Sequence, residues 1–369
     1  MDKKIFNPEI GHPDIQTNIL HSIQNNRLPH AYLFYGKEGT GKDAFALELA
    51  RLLNCDQGPL YLCGKCPACV KIARLQHPDV KFIFPTPSPI NVKPEEIAAA
   101  QAELAANPYR RIKFPGKNTF ISIDTIRELK TEAKFKLYEG KKKIFIISQA
   151  EEMRPEAANA LLKILEEPPQ NLMLILTSSQ FHRLLPTIRS RCQLIHFPPF
   201  PGDFILKLVH KYVPDPPEKL ASIVRLAQGN IKLAFDFIED DVMEKREQAV
   251  ELLRKVVKID LFQKLMKDLN KITATRDRGE MQLLLFFLLT WFRDAYHYHA
   301  RPEQVDHLTN VDLQSTLQKF VDAYPRADYE RIIREVEKAY AELEDPRNLN
   351  PLLIFINLSI KLNQLITLQ

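Results

Sequence analysis

The sequence predicts an α/β fold on a parallel sheet, followed by a long helical region, and three observations carry that prediction. The first is Ile144–Cys192, where the short apolar run Ile144–Ile147 is followed by a helical pattern from about Glu156 to Leu165. Ala157, Ala160, Leu161, Ile164 and Leu165 share one face of that helix, and Glu166–Glu167–Pro168–Pro169 ends it because proline cannot continue the hydrogen-bond ladder. A second apolar run, Leu172–Leu176, closes on the polar trio Thr177–Ser178–Ser179. The second observation is another strand, Ala31–Tyr35, which enters a glycine-rich turn, Gly36–Asp43, and then a helical run, Ala44–Leu53. Strand–helix alternation of this kind gives a parallel sheet with functional groups at the carboxyl ends of its strands. The third is the chain beyond Met243, almost entirely helical in pattern and without a ligand motif.

Length and composition bound the rest. At 369 residues there is room for two or three domains, and a formal charge of +5 is only a slight bias towards a polyanionic partner. The amino terminus, MDKKIFNPEIG, carries no apolar targeting core. The longest apolar stretch, MQLLLFFLLTWF from Met281, is too short to span a bilayer, so a soluble, cytoplasmic protein is expected.

The turn GKEGTGKD has the G-x-x-x-x-G-K pattern whose backbone amides cradle phosphates. Gly36, Gly39 and Gly41 shape the loop, and Lys42 supplies a cation at the helix start. Position 43, however, is Asp, where magnesium coordination calls for Ser or Thr, and an aspartate sets a negative charge beside the phosphates. Ile144–Ile147 ends in Ser148–Gln149, whereas a hydrolysing P-loop enzyme needs a carboxylate there to hold the magnesium shell. This second defect reads as independent of Asp43. Together they leave ATP or ADP binding open and argue against autonomous hydrolysis; the bland reading is a turn retained for packing.

Four of the five cysteines, Cys55, Cys63, Cys66 and Cys69, fall within fifteen residues. That density in a chain without a secretion signal suits four thiolates on a structural Zn2+, folding an insertion too small for its own core. Pro85–Gly116 reads as a surface insertion with a central helix, and its Arg110, Arg111 and Lys113 offer either a nucleic-acid contact or a solvated charged face. Asp124 is placed as the cap of a helix running through Arg127 and Leu129 towards Tyr138. Pro325 and Pro346 break the helical region, whose last segment is Pro351–Leu368; His297 and His299 lie in it as ordinary surface histidines.

These pieces, in this order, resemble one family. His30–Ala31–Tyr32–Leu33–Phe34, the Gly36–Lys42 loop, the four cysteines and His77–Pro78–Asp79 are the first matches. Ile123–Asp124–x–Ile126–Arg127 and Ala158–Asn159–Ala160–Leu161–Leu162–Lys163 with its Leu165–Pro169 tail follow. Leu184–x–Pro186–Thr187–Ile188–x–Ser190–Arg191–Cys192 completes the set. Over about residues 5–240 the chain resembles the delta-prime subunits of the bacterial DNA polymerase III clamp loader, relatives of the gamma/tau subunits. The resemblance implies an AAA+ module over 1–198, a helical lid over 199–242 and a helical collar over 243–369. It implies a place in a five-subunit ring with gamma/tau and delta subunits that opens a sliding clamp and sets it on primer-template DNA. In that scheme Arg191 serves in trans at a neighbour's ATP site, and Lys232, after Gly229–Asn230, stands where motor subunits carry the sensor-2 arginine. Delta-prime subunits lack an ATPase of their own while belonging to the polymerase holoenzyme, and Asp43, Ser148 and Gln149 fit that assignment. The competing expectations are an ATP-hydrolysing gamma/tau-type motor, disfavoured by those positions and by the lack of a long extension past the collar, and a stand-alone zinc-containing DNA-binding protein. The family supplies no role for the insertion.

Overall fold

In the computed structural model, which describes residue 6 and residues 10–240, 242–258, 262–275, 277–345 and 347–367, the α/β architecture is the one expected. Pro346, Leu368 and most of the first eleven residues lie outside the described residues. By compactness the chain divides into two units, one of residues 1–215 with 228–236 and the other of residues 216–227 with 237–369.

The first unit opens with α1 (Pro13–Gln24), β1 (Ala31–Tyr35), α2 (Lys42–Asn54), α3 (Pro67–Ala73) and β2 (Val80–Ile83). Two-residue strands β3 (Thr86–Pro87) and β4 (Thr119–Phe120) flank α4 (Pro94–Ala106), and α5 (Ile123–Glu132), β5 (Lys143–Ile147), α6 (Pro155–Glu166) and β6 (Leu172–Ser178) follow. Then come α7 (Pro186–Arg189), β7 (Gln193–His196) and α8 (Gly202–Tyr212); α9 (Leu220–Leu226) falls in the second unit, and α10 (Ile231–Glu239) belongs to the first through Asp236.

The main sheet has the order β2-β5-β6-β1-β7, and all four of its strand pairings are parallel. β5 and β6 are buried along their whole length, which is why they read as unbroken apolar runs rather than alternating ones. Leu33, Phe145, Ile147, Leu174 and Leu176 meet Ile126 and Leu129 of α5 and Ala157, Leu161 and Ile164 of α6 in one cluster. On β1, Phe34 turns the other way, stacking edge-on against Phe45 of α2 with 5.8 Å between centroids. The register sets Phe34 beside Thr177 and Tyr35 beside Ser178, so the tips of β1 and β6 end level at the start of the Gly36 turn.

Local chemistry moved one cap. α5 begins at Ile123, with Ser122 as N-cap accepting the Thr125 amide at 3.2 Å. Asp124 lies inside the first turn and pairs with Arg127 at 3.1 Å, and the helix stops at Glu132, short of Tyr138. The pairing of Thr86 with Phe120 and Pro87 with Thr119 ties the two ends of the insertion together.

His77–Pro78–Asp79 has a structural job. The Asp79 carboxylate, fully buried, accepts the amides of Tyr138 (3.0 Å), Glu139 (2.9 Å) and Gly140 (2.8 Å). Asn54 Oδ1 accepts those of Lys141 and Lys142 at 2.8 and 2.9 Å, so the approach to β5 is pinned from two sides. Burial alone would raise the Asp79 carboxyl; the three amides more than reverse it and hold it below its ordinary value.

The second unit holds α9, α11 (Val242–Val257), α12 (Phe262–Ala274), α13 (Arg278–Ala300), α14 (Gln314–Ala323), α15 (Tyr329–Glu344) and α16 (Pro351–Thr367). α13 is its axis, packed against α11, α14 and α15. The apolar stretch from Met281 is therefore interior to a bundle, and no described helix is long and apolar enough to cross a membrane. Arg246 is buried on Asn310 and Asp312, while Asp294 takes the Thr309 and Asn310 amides at 2.9 and 2.7 Å. His297 and His299 are exposed.

Asp79→Ala should lower unfolding stability by about 3 kcal/mol, since it removes the buried, ionised acceptor that three part-buried amides now share. In the native chain that contribution is present above about pH 4, the ordinary carboxylate value, and disappears as pH falls through the depressed folded value. Urea unfolding of both chains across pH 3–7 checks the magnitude and the sign.

Candidate functional site

The glycine turn sits at the tip of β1 and leads into α2. Gly36, Gly39 and Gly41 have φ of +148°, +69° and +78°, backbone that favours glycine. Packing demands glycine as well: a Cβ would fall 2.2 Å from the Phe197 carbonyl oxygen at Gly36, 1.7 Å from Asn230 Oδ1 at Gly39 and 2.5 Å from Phe200 Cζ at Gly41. The Ile231 amide donates to the Gly39 carbonyl at 3.0 Å, and His12 Nε2 lies 2.8 Å from the Thr40 carbonyl. Lys42 is turned back on the turn itself, donating to the carbonyls of Gly36 (2.9 Å) and Lys37 (2.6 Å) and to Thr40 Oγ1 (3.2 Å). Burial brings its ammonium down to about 8, against the pull of Asp43.

Asp43 is the buried centre of the cleft. Its Oδ1 accepts from Ser148 Oγ at 2.9 Å and Thr177 Oγ1 at 2.7 Å, and its Oδ2 lies 3.2 Å from Lys232 Nζ. Burial would raise this carboxyl, but Lys232, the two hydroxyls and Lys42 together hold it below its ordinary value. The two departures that read as independent in the sequence are thus one arrangement. A carboxylate at 148 would face Asp43 across the distance now spanned by a hydrogen bond, a like-charge contact that disfavours ionisation of both. Ser148 supplies a donor instead. Glu151, beyond the strand tip, is also buried; it accepts the Ser179 amide and hydroxyl at 2.8 and 2.6 Å.

The insertion reaches the same place. After α4 the chain turns at Asn107, whose Oδ1 accepts the Tyr109 amide at 3.0 Å. Pro108 and Tyr109 line the space above the loop together with Gly39–Asp43, Thr177 and Lys232. Tyr109 is 3% exposed and its ring lies edge-on to Phe200 and Tyr212, with centroids 6.3 and 6.0 Å away. Arg111 bridges Glu38 of the turn and Asp236 of α10, at 2.9 Å to each, and Lys113 meets Asp236 at 2.6 Å. Arg111 and Lys113 therefore belong to internal ion pairs and are not a free basic face.

Cys55 ends α2, Cys66 caps α3, and Cys63 and Cys69 complete a cluster whose sulfur atoms all lie within 4.8 Å of one another. A tetrahedron of thiolates at a zinc–sulfur distance of about 2.3 Å has edges of roughly 3.8 Å, so the group can hold a metal ion after small adjustment. Backbone amides already point at the sulfurs: Cys63 N to Cys55 Sγ at 3.4 Å, Cys66 N to Cys63 Sγ at 3.3 Å and Cys69 N to Cys66 Sγ at 3.5 Å. The Lys65 amide is the largest influence bringing the Cys63 thiol down to about 6, while burial pushes Cys55 up. Among the described residues no other group of His, Cys, Asp and Glu converges in this way.

Arg191 follows α7 and precedes β7, at the edge of the sheet. Its side chain is 35% exposed, and its guanidinium pairs with Glu166 at 2.9 Å and donates to the Thr187 carbonyl at 3.0 Å. It is not part of the lining of its own chain's cleft.

Gly36, Gly39, Gly41, Lys42 and Lys232 come together as the sequence suggested, with Asp43 and Ser148 between them. Glu38, Tyr109 and Thr177 complete the lining of the cleft, and His12 and Asp236 support it through Thr40 and Arg111; the turn motif points to none of the five. Thr177 had a signal, being the first polar residue at the end of an apolar strand. Tyr109 and Arg111 had none, because nothing local says where a connection after a surface helix will fold.

A parallel sheet with a glycine turn between β1 and α2, a cleft centred on Asp43 and a cysteine cluster define a P-loop module with an aspartate where the loop motif calls for a hydroxyl. A family model described as "DNA polymerase III, delta subunit" matches residues 11–201, just over half of the chain, and the chain belongs to that family. The delta' subunit of DNA polymerase III from Bacillus subtilis is 33% identical over 242 residues, 65% of this chain and 63% of that one. The delta' subunit from Escherichia coli is 26% identical over 351 residues, covering 95% of this chain and 93% of its own length. The tau subunit from Bacillus subtilis is 23% identical over 372 residues, 92% of this chain and 59% of the relative. The matched stretch thus spans less than two thirds of the Bacillus delta' protein. The chain is a member of the clamp-loader delta' subunit family of DNA polymerase III.

Removing Asp43 should expose how much the cleft depends on it. Asp43→Ala and Lys232→Met are each expected to cost about 3 kcal/mol, and the double variant clearly less than the sum, because each single change leaves a buried charge without its partner. A double-mutant cycle from chemical unfolding measures that coupling.

Proposed function

We propose that this chain is a non-hydrolysing subunit of a DNA polymerase III clamp loader, stationary in its own nucleotide site and completing a neighbour's. The observation that carries the reading is the set of hydrogen bonds around Asp43. Where a hydrolysing site keeps room for a magnesium ion and a γ-phosphate, this one has a carboxylate satisfied by Ser148, Thr177 and Lys232. Lys232, the sensor-2 position, is spent on that carboxylate. Lys42 is spent on its own loop.

Arg191 is the group for a neighbour. It stands at the sheet edge, partly exposed and outside its own cleft, and a guanidinium there can reach a γ-phosphate held by an adjacent gamma/tau subunit and stabilise its developing charge. The lid over 199–242 and the collar over 243–369 would place it within a cytoplasmic five-subunit ring with delta, acting on a sliding clamp and primer-template DNA. The likeness to tau favours one other reading, an ATP-hydrolysing motor. Steady-state ATPase of the purified chain separates the two: no turnover is expected, and turnover abolished by Lys42→Ala would establish the motor.

Arg191→Ala should leave assembly intact and reduce hydrolysis at the adjoining site by roughly 10³-fold. In a reconstituted loader this appears as the loss of one site's share of clamp- and DNA-stimulated ATPase; unchanged ATPase and clamp loading would remove the role in trans.

The four cysteines would hold one structural Zn2+, joining the end of α2 to α3. Metal analysis of chain purified without chelator should return about one zinc per chain, and its removal should lower the unfolding midpoint, because binding energy at such a site is folding energy. Freely titratable thiols with no metal would refute the assignment.

A further inference from the structure

The insertion that no part of the proposed function requires reaches the glycine turn, where its Pro108 and Tyr109 line the cleft. We propose that its segment 107–113 is a built-in substitute for nucleotide: it fills the cleft of its own chain and ties the P-loop to α10. Three independent features support this. The first is volume. With Pro108 and Tyr109 in place, the cavity above Gly39–Asp43 is about 20 Å³, enough for a water molecule, whereas clefts that take organic ligands run to roughly 300–1,000 Å³. The second is chemistry. Tyr109 puts an aromatic ring on the apolar wall made by Phe200 and Tyr212, within 3.5 Å of where a Gly41 side chain would begin. The ring meets both neighbours edge-on and so fills apolar space beside the P-loop.

The third is connectivity. A bound nucleotide joins the loop that holds its phosphates to the helix that carries the sensor lysine. Here Arg111 makes that junction, with Glu38 on one side and Asp236, four residues after Lys232, on the other, and Lys113 reinforces it. Arg111 is held in its charged form: burial works against it, and the two carboxylates outweigh burial. The β3–β4 pairing fixes the base of the insertion, so the segment is delivered to the cleft as a short tether and not as a free tail.

The inference concerns the isolated chain and stands whether or not Arg191 serves a neighbour. The test is fluorescent mant-ADP binding with Mg2+, together with amide hydrogen exchange, on the full chain and on Tyr109→Ala/Arg111→Ala. ADP is the probe because it brings less charge than the triphosphate to the neighbourhood of Asp43. The native chain should show no saturable binding. In the double variant, amides of residues 36–43 and 231–236 should exchange about tenfold faster, and mant-ADP binding should appear. Arg111→Gln alone keeps the Tyr109 ring seated and should give a smaller acceleration, which covers the case of a double variant that does not fold. Native chain binding mant-ADP as tightly as the variants, or exchange unchanged in both variants, overturns the proposal. A double variant that loosens yet still refuses mant-ADP overturns exclusion by the insertion and assigns it to Asp43.

Discussion

A carboxylate buried at the head of a P-loop helix sets the terms for the rest of the cleft. Asp43 lies where the helix start and Lys42 favour an anion, yet it is 8% exposed and so must find partners inside the protein. Those partners come from three separate elements: Ser148 after β5, Thr177 on β6 and Lys232 on α10. A single acidic residue therefore fixes the spacing of two strand tips and a helix. It also reverses the charge logic of the site, since a position that would gather negative oxygens around a cation now gathers donors around a negative oxygen.

That arrangement is possible because the strands of a parallel sheet finish on one edge. The level ends of β1 and β6 bring the Gly36 amide to the Ser178 carbonyl at 3.3 Å, next to Thr177, and β5 delivers Ser148 beside them. At the opposite end of β5, Asp79 and Asn54 hold the incoming chain by its amides, which sets where the strand starts and so where it ends. His77–Pro78–Asp79, a motif with no chemistry of its own, thus contributes to the register of the site.

Much of this was legible from residue pattern. β5, β6 and α6 declared themselves because full burial removes alternation from a strand and a proline pair stops a helix. The cysteine cluster was legible from spacing, since four thiols within fifteen residues suit a shared metal ion, and the turns between α2 and α3 bring them together. The P-loop glycines were legible as a motif, but the meaning of Asp43 was not: the sequence separates it from Ser148 and Thr177 by 105 and 134 residues, and only the sheet brings them within hydrogen-bond range. The insertion was the least legible part. Arg111 and Lys113 looked like surface charge because a short basic stretch carries no mark of the acids it will meet, here Glu38 and Asp236. Helix α5 shows the same limit on a small scale, where Ser122 and Asp124 are both good capping residues and the turn geometry chose the serine.

The glycines of the turn carry a further consequence. Each is held by a protein neighbour: Phe197 at Gly36, Asn230 at Gly39 and Phe200 at Gly41. Substituting any of them meets a clash in the folded chain before any question of phosphate arises. A motif whose letters were written by one ligand is here kept in place by side-chain packing, so its presence measures the shape of the backbone and says nothing of turnover. Positions 43 and 148 differ in kind: their neighbours are polar side chains, so a change there alters the charge of the cleft without meeting the clash that holds the glycines in place.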